Sequence, residues 1–122
     1  MTVKYMLMIY GNHANWDTWT RDDYAALEQA HGALIAELTA SGELIATEGL
    51  TTAGAKVVRV RDGVPAVTDG PYSEAKEMLA GYYLIECDSV ERATEIAARL
   101  PEAASSLIEV RRIMDTAEIY GA

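Results

Sequence analysis

Two segments limit what this chain can fold into more than any others: "VKYMLMIY" at residues 3–10 and "AGYYLIEC" at 80–87. Their aromatic and branched residues favour strands. Successive side chains of a strand point to opposite faces, so a sheet with one wetted face alternates apolar and polar residues. "YMLMIY" and "YYLI" do not alternate; they are apolar on both sides. A sheet built from them needs a cover on each face.

The remaining elements show what one cover is. Thr20 is placed to cap a helix with Asp22 and Asp23 in its first turn, where carboxylates meet the positive end of the helix dipole. Tyr24, Leu27, His31, Leu34 and Leu38 follow at helical spacing, and Ser41-Gly42 supplies the stop. "ELIATEGL" reads as a second strand. "AKVVRVR" and "VPAVT" flank Asp62-Gly63, a strong two-residue hairpin signal. After the 80–87 strand, Asp88 is the expected cap of a second helix, "SVERATEIAARL", with Glu91 three residues on. "LIEVRRIM" is the last strand, "NHANWDTW" is expected as a loop, and 115–122 as a tail. The order β-α-β-(β-β)-β-α-β predicts a ferredoxin-like α+β sandwich with an inserted hairpin, as one domain over 1–122. Its helices cover one sheet face. The cheapest cover for the other is a second copy, so a homodimer packed through sheet faces, of the dimeric α/β-barrel type, is expected.

Charge and composition narrow the function. A net charge of −9 opposes nucleic-acid binding, which needs clustered Lys and Arg. No run approaches the roughly 18 apolar residues of a membrane helix, and the N-terminal apolar stretch is too short for an export signal. The single cysteine, Cys87, has no internal disulfide partner, which fits a reducing cytoplasm. Its neighbours Glu86 and Asp88 disfavour a thiolate nucleophile. Phosphate loops, dinucleotide fingerprints and nucleophile elbows are absent, so no cofactor is expected.

His31 is the residue that packing alone does not explain. It sits inside an apolar helical stripe, where an imidazole without partners costs about 1–3 kcal/mol. It is read either as a core histidine with hydrogen-bond partners or as a general acid/base, since imidazole titrates near working pH. His13, beside Asn12 and Asn15, reads as solvated. Glu28 and His31 have i, i+3 metal-ligand spacing but lack the second such pair those sites require, so no metal is expected. Arg59 and Arg61 share one strand face, as do Glu109 and Arg111, either as anion binders or as edge and intersubunit charges. Finally, Asp69-Gly70-Pro71 specifies a sharp corner, followed at once by Tyr72, Ser73, Glu74, Lys76 and Glu77.

"DGPYSEAKEMLAGYYLIECDSVERATEIAARLP" with "IEVRRIMD", and "VKYMLMIYG" at the start, resembles the YCII-related superfamily, specifically its DGPF branch. The resemblance spans nearly the whole chain. It implies a dimeric ferredoxin-like fold and a cleft using a His–Asp pair. It also implies little about substrate: a relative in aromatic degradation removes HCl from a chlorinated hydroxyquinol, and DGPF members often neighbour sigma factors. His31 matches the family histidine in its His-x-x-Leu setting. The aspartate of the family's Asp-Pro is replaced here by Leu100 before Pro101, and our own substitute for it is Asp69. Tyr72 stands for the usual Phe, and Arg112 for a proline.

The resulting expectation is a small cytoplasmic protein with a cleft for a small polar, aromatic or anionic molecule. As a cofactor-free lyase or isomerase, it would use His31 as acid/base with Asp69 orienting it, and Tyr72, Lys76 and Arg111 holding substrate. Two alternatives stay open: a non-catalytic ligand-binding or regulatory module associated with a sigma factor or biosynthetic cluster, and a cofactor-independent monooxygenase.

Overall fold

The computed structural model describes residues 1–72 and 77–121. Strands β1 (Val3–Gly11), β2 (Leu44–Gly49), β5 (Met78–Cys87) and β6 (Leu107–Arg112) form one antiparallel sheet in the order β2-β5-β1-β6. That is the ferredoxin-like order, with the two longest, most apolar strands paired at its centre. Strands β3 (Lys56–Arg61) and β4 (Val64–Asp69) form a separate two-stranded ribbon. Its turn places Asp62 at φ 51° and Gly63 at φ 77°, as the Asp-Gly signal requires.

Helices α2 (Arg21–Ser41) and α3 (Val90–Ala98) lie on one sheet face. Strand alternation points Leu7, Tyr83 and Ile85 at them, and Leu34, Leu38, Ala93 and Ile96 return the contact in the buried core. Each large side chain buried there contributes about 1.5–3 kcal/mol. The opposite face presents Met6, Met8, Tyr82 and Leu84, all only part-buried.

Helix α2 begins and ends where the sequence indicates. Thr20 and Asp23 form a reciprocal capping box, and Gly42 closes the helix in the left-handed region. Three local expectations are corrected. Tyr24 lies at the margin of the buried face and is half exposed, its ring edge-on to Trp19. The cap of α3 is Ser89, whose hydroxyl accepts from the Arg92 amide, because Asp88 sits one residue too early. The expected loop after β1 contains a short helix, α1 (His13–Trp16), capped by Asn12. Two more single-turn helices complete the chain, α4 (Glu102–Ser105) and α5 (Ala117–Tyr120).

Arg92 joins α3 to the α2–β2 turn by two hydrogen bonds to the Glu43 carboxylate, at 2.8 and 2.9 Å. This guanidinium holds the Glu43 carboxyl below its ordinary value of 4.5. The stabilisation is complete above that value and is lost as pH falls through the lower folded one. Arg92→Ala should therefore lower stability by about 1–3 kcal/mol at pH 7. The gap between variant and wild type in urea midpoint should close on acidification; a pH-independent gap would assign the loss to packing.

Candidate functional site

His31 occupies the middle of the α2 stripe, opposite the place where β5 turns Tyr83 toward the helices. Apolar neighbours would have left the imidazole without partners, but two polar groups meet it. Its Nδ1 lies 2.6 Å from the Tyr83 hydroxyl. Its Nε2 lies 2.8 and 2.9 Å from the two Glu102 carboxylate oxygens. The imidazole and phenol rings are nearly parallel, with centroids 5.7 Å apart. The His31 and Glu102 side chains are only 20% and 14% exposed, so water screens their interaction weakly.

Chemistry fixes much of the proton arrangement. Burial, and next the negative charge of Glu102, push the Tyr83 hydroxyl up to about 12, so it stays protonated. A carboxylate only accepts, so Nε2 carries the hydrogen that donates to Glu102. Neutral His31 then accepts at Nδ1 from Tyr83, and both ring nitrogens are satisfied. The doubly protonated imidazolium would keep the Glu102 bond and gain the opposite charge beside it.

Glu102 is the first residue of α4. Helix α3 ends at Ala98 with Arg99 as its C-cap, and Pro101 stands at the N-cap position of the single turn that follows. The turn is tied down from outside. Asn15 of α1 donates to the Ser105 carbonyl at 2.9 Å, and Glu77 accepts from both Ser106 and Asn12. The last acidic residue of the stretch behind the Asp69-Gly70-Pro71 corner thus joins the end of β1 to the end of α4.

The three side chains line one end of a hollow of about 300 Å3. Its other walls include Ile9 and Ile35 and the β2–β5 edge at Thr47, Glu48, Gly49 and Gly81. Glycine is required at 81: a Cβ there would lie 2.8 Å from the Glu48 carbonyl oxygen.

The other residues singled out from sequence lie elsewhere. Asp69 is on the ribbon, paired with Lys56 at 2.6 Å and highly exposed; the carboxylate that His31 meets is that of Glu102. Tyr72 is half exposed beside the ribbon, with the Arg59 guanidinium 5.9 Å above its ring. Arg111 pairs with Met6 on β1 and so projects from the sheet face opposite the helices and His31. Lys76 lies outside the described residues. Cys87 is buried, its thiol pushed up by desolvation, which suits packing rather than nucleophilic attack. Among the described residues no group of three or more His, Cys, Asp or Glu is arranged to hold a metal. Nor is any described helix long and apolar enough to cross a membrane.

Sequence reasoning missed Glu102 because it sought an acid before the proline, where Leu100 stands. The usable signal was the acid directly after it, Pro101-Glu102, at the end of an apolar helix.

Fold and site together define a class: a ferredoxin-like α+β protein with a histidine–carboxylate pair at a helix–sheet hollow. Residues 3–117 match the family model of the YCII-related domain, and the chain belongs to that family. It is also similar to an uncharacterised protein of Rhizobium meliloti (strain 1021), 29% identical over 100 residues that cover 81% of each chain.

Proposed function

We propose that the His31 hollow is a proton-transfer site, in which a small polar or aromatic molecule undergoes lyase or isomerase chemistry without a cofactor. The observation that supports this is the position of His31, held between Tyr83 and the Glu102 carboxylate beside a hollow of ligand size. His31 is the proton carrier. Glu102 orients it and balances the charge of its imidazolium form, the role that sequence alone assigns to Asp69. The Tyr83 hydroxyl, which lines the hollow, relays the proton: it gives its hydrogen to Nδ1 as it takes the ligand's, and so ends protonated. This is the logic of a base aligned by a third group.

The test works with a substrate of unknown identity. Metabolites that raise the melting temperature are incubated with the protein in D2O. Proton transfer predicts deuterium entering a carbon position of a bound ligand, or release of a leaving group. Binding without exchange or turnover would favour the second reading, a ligand-binding module. One observation does favour it: both ring nitrogens of His31 are already engaged inside the protein.

The chain is further proposed to be a cytoplasmic member of the DGPF branch, on its Asp69-Gly70-Pro71 corner. It is also proposed to be a homodimer through sheet faces. Support for the dimer comes from the helix-free face with Met6, Met8, Tyr82 and Leu84, and from the ribbon, where Val58, Val60 and Val67 are each more than half exposed. An isolated two-stranded ribbon is marginally stable in water. Arg111 and Glu109 lie on that same face, suited to ion pairs between subunits. Light scattering at micromolar concentration should give twice the 13.3 kDa chain mass; a monomer would refute the dimer.

A further inference from the structure

A second hollow, of about 360 Å3, adjoins the one at His31. The two share Gly49, Ala80 and Glu102 as common wall. The second is otherwise formed largely by apolar and aromatic residues, among them Trp16, Trp19, Leu27 and Leu50. Its aromatic wall is built in. Gly11 has no side chain, and a Cβ there would lie 2.6 Å from the Trp16 ring, so bare backbone receives the indole. Helix α1, which carries Trp16, is bonded through Asn15 to α4, which carries Glu102. This hydrogen bond links the elements that carry the polar end and the aromatic end.

Charge decides what kind of head group fits. Among the described residues no Lys or Arg lines either hollow, whereas Glu48 and Glu102 do. A carboxylate or phosphate entering beside Glu102 would meet like charge with little water to screen it. A hydroxyl or an ammonium group would meet acceptors.

Resting on the proton-transfer reading of the same cleft, we infer that the two hollows form one composite site for a flat aromatic molecule. Its ring lies along Trp16 and Trp19, and its head group, uncharged or cationic, reaches His31 and Glu102. Anionic aromatics are selected against, which revises the sequence-based allowance for an anionic ligand.

Three probes sharing one ring system separate these claims: 2-naphthalenemethanol, 2-naphthylmethylamine and 2-naphthoate. Their binding is followed by NMR at the indole N–H signals of both tryptophans and at the His31 ring. The alcohol and the amine should shift the indole and imidazole signals together, while the carboxylate binds at least about tenfold more weakly. Trp19→Leu, at a part-exposed position, should weaken the alcohol and amine by about tenfold or more.

Equal or tighter binding of 2-naphthoate overturns the inference, as does unchanged affinity in Trp19→Leu or the absence of binding by all three. Shifts at His31 without shifts at the indoles overturn the composite site and leave the proton-transfer reading standing. Shifts at the indoles without any at His31 refute both.

Discussion

His31→Ala should abolish ligand turnover or deuterium exchange while leaving the melting temperature close to that of wild type. General acid/base catalysis by one positioned side chain accounts for about 10^2–10^4 in rate, so the loss should be at least a hundredfold. The fold should survive because the ring is only part-buried and its removal opens onto an existing hollow. The variant leaves Tyr83 and Glu102 without their shared partner, but both line the hollow, where water can replace the imidazole, so the penalty of about 1–3 kcal/mol for an unsatisfied buried group is avoided. Glu102→Gln separates the roles. The amide can still accept from Nε2, but it cannot balance an imidazolium, so exchange should fall strongly while binding persists. Retained exchange in His31→Ala would remove the histidine from the mechanism, whatever ligand is used.

The second large effect is expected at Gly81. Adding one methyl group places it 2.8 Å from the Glu48 carbonyl oxygen and 3.3 Å from the Gly49 Cα. Both are backbone atoms in the neighbouring strand, which cannot rotate away as a side chain would. Gly81→Ala should force β2 away from β5, cost about 1–3 kcal/mol, and open the wall of the His31 hollow. A fall of several degrees in melting temperature should accompany lost ligand binding. Gly32 provides the opposite case. It sits in α2 beside His31, is exposed, and a Cβ there meets nothing within 4 Å. Gly32→Ala should stabilise by about 0.5–1 kcal/mol, because alanine loses less backbone entropy in a helix. Equal effects of the two substitutions would mean that the close approach of β2 and β5 does not hold in solution.

The residues behind these predictions differ in how far the amino-acid sequence alone reveals them. Local chemistry was legible: Asp62-Gly63 as a tight turn, Thr20 and Gly42 as the ends of α2, and two doubly apolar strands at the sheet centre. Each is decided by residues within a few positions of one another. His31 was legible as an anomaly, since an imidazole in an apolar stripe needs a partner somewhere. Which partner was not legible. Glu102 is 71 residues away, and it meets the ring from the first position of α4, the four-residue helix that follows Pro101. Asp69 was attractive because it is locally well defined by its Gly-Pro corner, but a corner fixes a direction of chain, not a destination. Its ribbon pairs it with Lys56, its opposite neighbour in the register. Arg111 follows the same lesson. Alternation showed that it shares a face with Glu109, and only the sheet register showed that this face turns away from His31. Trp16 was hidden differently: a stretch read as loop contains a capped helical turn that seats the indole on Gly11.

The whole site depends on the pairing of His31 with Glu102, and nitrogen-15 NMR of the imidazole ring probes that pairing at the atoms involved. Neutral His31 should carry its hydrogen on Nε2, with that N–H protected from solvent exchange, and Glu102→Ala should abolish the protection while the fold persists. A ring that averages between tautomers, exchanges freely and ignores the loss of Glu102 would refute the pairing.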